Sequence, residues 1–203
     1  MVFGEGSVCR TAELVKKHGG SRVLVVYGGG SAKRSGLLDR VFALLDEALL
    51  PYDSIGGVQP NPRVELAREG VKRAVEFRAD LILAVGGGSV IDTAKAIAHG
   101  AANPETDIWE FWKRREVLTR STPVGVILTI PASGSETSDS AVLTNEQECE
   151  KRGLNTDLNR PAFAILDAKL AMTLPPRQVS CGVTDILMHT LDRYFTPADD
   201  NEL

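Results

Sequence analysis

Apolar and polar residues follow one another in blocks that predict strands and helices in alternation. Apolar, partly β-branched runs at Arg22–Tyr27, Leu81–Val85 and Val124–Thr129 are typical of strands buried on both faces of a parallel sheet. Apolar residues recur at helical spacing over Leu37–Leu50, and Pro51 ends that helix. Because strands alternate with helices, the pattern predicts an α/β domain built on a parallel sheet.

Further elements continue this alternation. Asn61-Pro62 is typical of a helix N-cap followed by a first turn, and it predicts a helix from about Arg63 to Phe77. From Thr173 the pattern is helical as far as Tyr194. We therefore expect an α/β domain over residues 1–172 and the beginning of a helical domain over residues 173–203. The remaining expected elements are a strand at Tyr52–Val58, a hairpin strand at Ala141–Thr144, a last strand at Phe163–Leu166 and a short aromatic helix at Ile108–Trp112.

Composition narrows the class of protein. Hydrophobic residues make up 43% of the chain and charged residues 25%, which is typical of a globular fold. The net charge of −4 argues against electrostatic binding to nucleic acid. The sequence contains no run of about 18 apolar residues, so no membrane span is expected. The three cysteines, Cys9, Cys149 and Cys181, lack the spacing of a metal site or a disulfide framework. We expect a cytoplasmic protein with no nucleic-acid or membrane partner.

Two glycine-rich turns follow predicted buried strands, Gly28-Gly29-Gly30-Ser31 and Gly86-Gly87-Gly88-Ser89. Neither matches the dinucleotide fingerprint G-x-G-x-x-G or the P-loop spacing, and one such cluster alone is equally consistent with a plain turn. A third loop of small residues follows Thr129. Because parallel strands end at the same sheet edge, the three loops are expected to face one crevice. Backbone N–H groups at a helix start suit phosphate, which predicts a nucleotide or another phosphorylated ligand.

A second cluster lies further along the chain. Asp185 and His189 are four residues apart on a predicted helix, where they share a face, and a carboxylate with an imidazole can ligate a divalent metal. Taken alone, the pair is more typical of a capping or surface pair. His18 and His99 each precede a glycine at a predicted helix end, where the helix dipole favours a cation, and we interpret both as structural.

Four segments together resemble one family: Gly86–Lys95, Thr129–Glu136, Thr173–Pro176 and Gly182-x-x-Asp185-x-x-x-His189. In this order they resemble the iron-containing (group III) alcohol dehydrogenases, most nearly the butanol dehydrogenase branch, over essentially all 203 residues. The resemblance implies a dinucleotide-binding α/β domain similar to that of dehydroquinate synthase. It also implies that Asp185 and His189 are metal ligands, with Fe²⁺ as the metal and Zn²⁺ as the alternative.

The resemblance also implies cofactor contacts. NAD-preferring relatives often carry an Asp at about the position of Gly29, where a carboxylate repels a 2′-phosphate. No acid stands there in this chain, and Lys33 and Arg34 follow, so NADP is the expected cofactor and NAD the alternative. The implied contacts fall into three groups: Gly28, Gly29, Gly30 and Ser31 at the adenosine ribose; Gly86, Gly87, Gly88, Ser89 and Asp92 at the pyrophosphate; and Thr129, Ser135, Ser138 and Lys151 lining the rest, with the lysine near the nicotinamide ribose.

The implied activity is reversible hydride transfer between a primary alcohol and its aldehyde, in a homodimer, with the metal polarising the substrate oxygen. Family members ligate the metal with one Asp and three His, whereas no histidine follows His189 here. The chain also has about half the family length and begins late, so we expect a truncated and inactive product. The alternatives are a non-catalytic nucleotide-binding product and another member of the superfamily, such as a glycerol dehydrogenase or a dehydroquinate synthase.

Overall fold

The computed structural model describes residues 1–196, and the chain divides into two compact units, Met1–Ala171 and Met172–Leu203. The first unit contains a sheet of six parallel strands, in the order β1-β8-β5-β4-β2-β3, and a separate antiparallel hairpin of β6 and β7. The expected parallel α/β architecture is confirmed. The strands are β1 (Val2–Phe3), β2 (Val23–Gly28), β3 (Tyr52–Val58), β4 (Leu81–Gly86), β5 (Val124–Leu128), β6 (Ser140–Asn145), β7 (Glu150–Asn155) and β8 (Phe163–Leu166).

Helices connect the parallel strands of the first unit, except that the β6–β7 hairpin lies between β5 and β8. One long helix forms most of the second unit's described part. Strand β3 and the aromatic helix α6 have the bounds that the sequence predicted, whereas the two-residue strand β1 is too short to give a pattern. Assigning the second unit to a helical domain stays a prediction. The helices are α1 (Thr11–Lys17), α2 (Ser31–Arg34), α3 (Leu37–Glu47), α4 (Val64–Phe77), α5 (Gly88–Ala102), α6 (Ile108–Trp112), α7 (Ala168–Ala171) and α8 (Pro176–Phe195), with 3₁₀ turns at Ser7–Arg10 and Asp157–Asn159.

The core lies on both faces of the parallel sheet. Along β2, Leu24 and Val26 pack into one hydrophobic cluster, whereas Val23 and Val25 pack into the other. Successive side chains of a strand point to opposite faces, so a strand covered on both sides has no polar face. Burying each such side chain stabilises the fold by about 1.5–3 kcal/mol. This burial explains why β2, β4 and β5 appear in the sequence as nearly unbroken apolar runs.

The helix α4 begins at Val64, close to the expected position, but its cap differs from the sequence expectation. The N-cap is Arg63, in extended conformation and with no side-chain cap, whereas Asn61-Pro62 precedes the helix. Asn61 lies in the left-handed region with φ +58°, and its side-chain oxygen accepts a hydrogen bond from Lys151 at 2.8 Å. The amide oxygen that would cap the helix is therefore engaged with β7 instead.

His99 is structural and lies in the last turn of α5, as expected, but it is buried rather than a cation at the helix end. Its Nε2 donates to the Oδ1 of Asn159 at 2.8 Å, and its Nδ1 lies 2.8 Å from the Oγ of Ser121. Asn159 in turn donates to the carbonyl of Leu154 at 2.7 Å. Burial lowers the pKa of His99 to about 4, so the ring is neutral at physiological pH.

His99 should make the stability of the fold pH-dependent. The unfolded chain takes up a proton near the ordinary pKa of 6.5, whereas the folded protein takes it up only near pH 4. The unfolded state binds more protons in this window, so stability is present above pH 6.5 and is lost as the pH falls towards 4. We expect this titration to lower the free energy of unfolding by about 3 kcal/mol as the pH falls from 6.5 to 4. Urea unfolding of wild type and His99→Gln across this range measures it, because the variant lacks the titration. A stability difference that stays constant with pH would contradict the expectation.

The close packing of α4 on α5 gives a second expectation. Gly70 lies against the side chain of Ile97, and a Cβ at Gly70 would overlap that side chain. We expect Gly70→Ala to lower the free energy of unfolding by about 1–3 kcal/mol through overpacking. The double variant with Ile97→Ala should lose less than the sum of the single changes, because the clash is removed. Without the contact, the higher helix propensity of Ala would instead stabilise α4 by about 1 kcal/mol.

Candidate functional site

The triple-glycine turn joins β4 to α5. Gly86 is the last residue of β4 and Gly87 is the N-cap of α5, with no side chain capping the helix. The first-turn backbone N–H groups, those of Gly88 and Ser89 among them, therefore lack partners within the helix. They lie at the positive end of the helix dipole. This helix start can bind a phosphate group through its backbone.

Packing also requires glycine in this turn. A Cβ on Gly87 would overlap the Cγ2 of Ile130, and a Cβ on Gly88 would overlap the Oγ of Ser133. The segment that follows β5 therefore lies directly against the turn. A larger residue at either position would force the side chain of Ile130 or Ser133 to move.

The first glycine turn follows β2, the neighbour of β4 in the sheet. Gly28 is the last residue of β2, and a Cβ on Gly28 would lie 3.6 Å from Val90 of α5. A Cβ on Gly29 would meet nothing within 4 Å. Ser31 opens the short helix α2, which carries the exposed Lys33 and Arg34. The turn thus combines an open glycine with two cations and no acidic residue.

The third loop begins where β5 ends, on the other side of β4. The backbone N–H of Thr129 donates to the carbonyl of Gly86 at 3.1 Å, which joins the loop to the triple-glycine turn. Because β5, β4 and β2 are parallel neighbours, their C-terminal ends lie at one edge of the sheet. The structure therefore brings the three loops of the sequence analysis together.

Asp92 and Ser135 are in contact below these loops. The Oγ of Ser135 donates to the Oδ1 of Asp92 at 2.6 Å, and the backbone N–H of Val142 donates to the Oδ2 at 3.0 Å. Burial raises the pKa of Asp92, while the two hydrogen bonds oppose that shift. Lys95, which the sequence analysis did not select, joins the pair with a hydrogen bond of 2.9 Å to Ser135. The carbonyl of Ser138 accepts a further bond from Lys95 at 3.2 Å.

Lys151 lies on β7 and donates to Asn61. The carbonyl of the next residue, Pro62, accepts a bond from the backbone N–H of Thr144 on β6 at 2.8 Å. The segment after β3 therefore holds the hairpin on both of its strands. Sequence reasoning selected Lys151 but missed Asn61, although an asparagine before a proline was a signal for an unusual backbone conformation.

The pair predicted to bind metal lies on α8, in the second unit. The Nε2 of His189 is 3.6 Å from the Oδ1 of Asp185, and both side chains are exposed. Two such donors on one tetrahedral ion lie about 3.4 Å apart, so the pair fits two positions of a coordination shell. Imidazole and carboxylate also suit iron or zinc. Within residues 1–196, no group of three or more candidate ligands exists, and two donors are too few to hold an ion.

Two further features bear on the sequence expectations. Cys9, Cys149 and Cys181 are all exposed and free. None of the helices within residues 1–196 combines the length and the apolar character needed to cross a membrane. Neither feature adds a residue to the site.

Comparison with known proteins places this geometry in a family. The sequence model of the iron-containing alcohol dehydrogenases matches residues 1–168. The chain is 42% identical over 194 residues to NADH-dependent butanol dehydrogenase A of Clostridium acetobutylicum. That alignment covers 96% of this chain and 49% of the relative. It is 38% identical over 207 residues to the NADPH-dependent aldehyde reductase YqhD of Escherichia coli. That alignment covers 100% of this chain and 52% of the relative.

A solved structure shows the same fold. The crystal structure of NADH-dependent butanol dehydrogenase A from Thermotoga maritima superposes with a TM-score of 0.90 at 38% identity, over 96% of this chain and 48% of that one. The chain spans about half the length of the curated relatives it matches. Since the family match extends over most of the first unit and the relatives align across nearly the whole chain, the chain belongs to the iron-containing alcohol dehydrogenase family.

Proposed function

We propose that the chain supplies the cofactor-binding part of a metal-dependent, NAD(P)-linked dehydrogenase that interconverts primary alcohols and aldehydes. The observation that carries the proposal is the meeting of three loops around the uncapped start of α5. This arrangement suits the pyrophosphate of a dinucleotide. The names of the relatives, a butanol dehydrogenase and an aldehyde reductase, support hydride transfer between an alcohol and an aldehyde.

Each loop has its own task in this function. The Gly86–Ser89 turn binds the pyrophosphate through backbone N–H groups, and the Gly28–Ser31 turn holds the adenosine ribose. Thr129 and Lys151 hold the nicotinamide half. The bound nicotinamide supplies the hydride acceptor or donor, and the loops hold its ring in place. The resemblance to the family, together with the convergence of the loops, supports these roles.

We further propose Asp185 and His189 as two ligands of Fe²⁺, with Zn²⁺ as the alternative. The residues described by the structure contain no third ligand beside them, so we assign no catalytic step to the metal. The family resemblance also supports a homodimer and a cytoplasmic location for the whole protein. Sedimentation equilibrium of the whole protein tests the dimer.

NADP is the proposed cofactor rather than NAD. A Cβ on Gly29 would meet nothing within 4 Å, and the turn Gly28–Ser31 contains no acidic residue. The cations Lys33 and Arg34 follow on α2. A 2′-phosphate on the adenosine ribose is attracted by such cations, whereas a carboxylate at Gly29 would repel it. The relatives are named for both cofactors, NADH in Clostridium acetobutylicum and NADPH in Escherichia coli, so the proposal rests on the turn itself.

Isothermal titration with NADPH and NADH tests the choice of cofactor. We expect wild type to bind NADPH more tightly than NADH by about tenfold, a difference of 1.4 kcal/mol. Gly29→Asp should weaken NADPH binding by about tenfold or more and leave NADH binding nearly unchanged. Gly29→Asn is the matched control, because it adds a side chain of the same size at the same open position without the negative charge. Equal affinities for both cofactors in wild type would contradict the proposal.

The second candidate function is a non-catalytic nucleotide-binding product, which the two-ligand metal pair favours. We expect the chain alone to bind NADPH but to oxidise it no faster than background with butanal and added Fe²⁺ or Zn²⁺. The loss of NADPH absorbance measures this, with the Escherichia coli relative as the positive control. Turnover well above background would show that the chain completes a metal site and would exclude the non-catalytic candidate.

A further inference from the structure

Lys95 is a charged side chain in the interior of the first unit. It lies in the second turn of α5 and is 0% exposed. Its ammonium group donates to the Oγ of Ser135 at 2.9 Å and to the carbonyls of Ser138 and Ser140 at 3.2 and 2.8 Å. A lysine ammonium has three N–H donors, and all three are satisfied by one short segment that ends at the first residue of β6.

Asp92 completes the network from one turn earlier in α5. Ser135 donates its hydroxyl hydrogen to Asp92 and accepts from Lys95, so the one donor of this hydroxyl is used within the protein. The other oxygen of Asp92 accepts the backbone N–H of Val142, at the third residue pair of the hairpin. Ser135 itself is only 4% exposed. The network therefore ties α5 to the whole segment from Ser135 to Val142.

Burying an ammonium group costs several kcal/mol, and an apolar side chain of similar size would fill the space without that cost. The network therefore serves the arrangement of the segment rather than the size of the core. The loop after β5, which leads into this segment, lies against the triple-glycine turn through Ile130 and Ser133. Without Lys95, this largely irregular segment would have few fixed contacts with α5.

We propose that Lys95 is a positioning residue, which, through Ser135 and the carbonyls of Ser138 and Ser140, holds the loop after β5 against the triple-glycine turn in the geometry that the cofactor needs. In this arrangement, Asp92 and Ser135 act by fixing Lys95 and the loop rather than by contact with the cofactor. The proposal rests on the proposed function, because it takes the loop to line the dinucleotide.

The charges around Lys95 make the arrangement sensitive to pH. Burial lowers the pKa of Lys95 to about 8. The carboxylates of Asp92 on α5 and of Glu136 and Asp139 in the loop oppose this shift, whereas Arg160 adds to it. Above pH 8 the neutral amine has one donor fewer, and one bond to the loop is lost.

Affinity for NADPH, measured by isothermal titration, tests the proposal. We expect Lys95→Met to raise the Kd for NADPH by about tenfold, the loss typical of a hydrogen bond to a charged group. Lys95→Arg keeps the charge and should restore much of the affinity. Ile97→Ala is the matched control: it lowers stability by emptying a buried position on the same helix, where the side chain lies against Gly70 of α4. We expect its Kd to stay within about twofold of wild type.

The pH profile separates positioning from simple stabilisation. In wild type the Kd for NADPH should rise between pH 7 and 9, with a midpoint near 8, and in Lys95→Arg it should stay flat. Hydrogen exchange gives a readout that needs no cofactor: amides over residues 131–142 should exchange faster in Lys95→Met than in Ile97→Ala. If Lys95→Met does not fold, Ser135→Ala takes its place in both measurements.

Some outcomes would overturn the proposal. A folded Lys95→Met or Ser135→Ala with the wild-type Kd and wild-type exchange over residues 131–142 would show that the network only fills the core. A wild-type protein that binds neither NADPH nor NADH would overturn the proposed function instead. In that case, unchanged exchange in the variants overturns the positioning role, and faster exchange confined to the loop supports it.

Discussion

Parallel pairing of strands that are covered on both faces is the constraint on which the rest of the structure depends. Strands β5, β4 and β2 are neighbours and run in one direction, so each connection must leave the same edge of the sheet. Helices on both faces bury the side chains of these strands. The loops at the carboxyl ends of the strands are therefore where the proposed cofactor site lies.

Within those loops, glycine serves packing and function for the same physical reason. The absence of a Cβ at Gly87 and Gly88 lets the segment after β5 approach the start of α5 closely. The same absence leaves the first N–H groups of α5 uncovered, and the helix dipole makes them favourable to an anion. Below this contact, the Asp92–Ser135–Lys95 network ties the loop to the helix. Apolar packing thus positions the strands, and the buried hydrogen bonds of Lys95 and Asp92 to Ser135 connect the loop to α5.

Local patterns predicted most of the first unit because its strands are continuous apolar runs and its helices have clear periodicity. They predicted that Asn61 caps α4, whereas its amide bonds to Lys151, 90 residues away. They also predicted His99 as a cation at the end of α5, whereas it is buried and neutral and its partners Ser121 and Asn159 come from distant segments. Each of these misses involves a polar side chain whose partner is remote in sequence. Hydrophobic periodicity carries no information about such pairs.

The sequence by itself determined the class of fold, the three loops, the family resemblance and the Asp185–His189 pair. All of these depend on residue order and local spacing, since a strand, a turn and a helical repeat are each written within a few adjacent residues. Only the tertiary structure decided that Lys95 is buried, that Ser135 stands between it and Asp92, and that Asn61 holds Lys151. These contacts arise because the packed sheet brings distant segments within hydrogen-bond distance, and a buried polar group must find a partner wherever the fold places one.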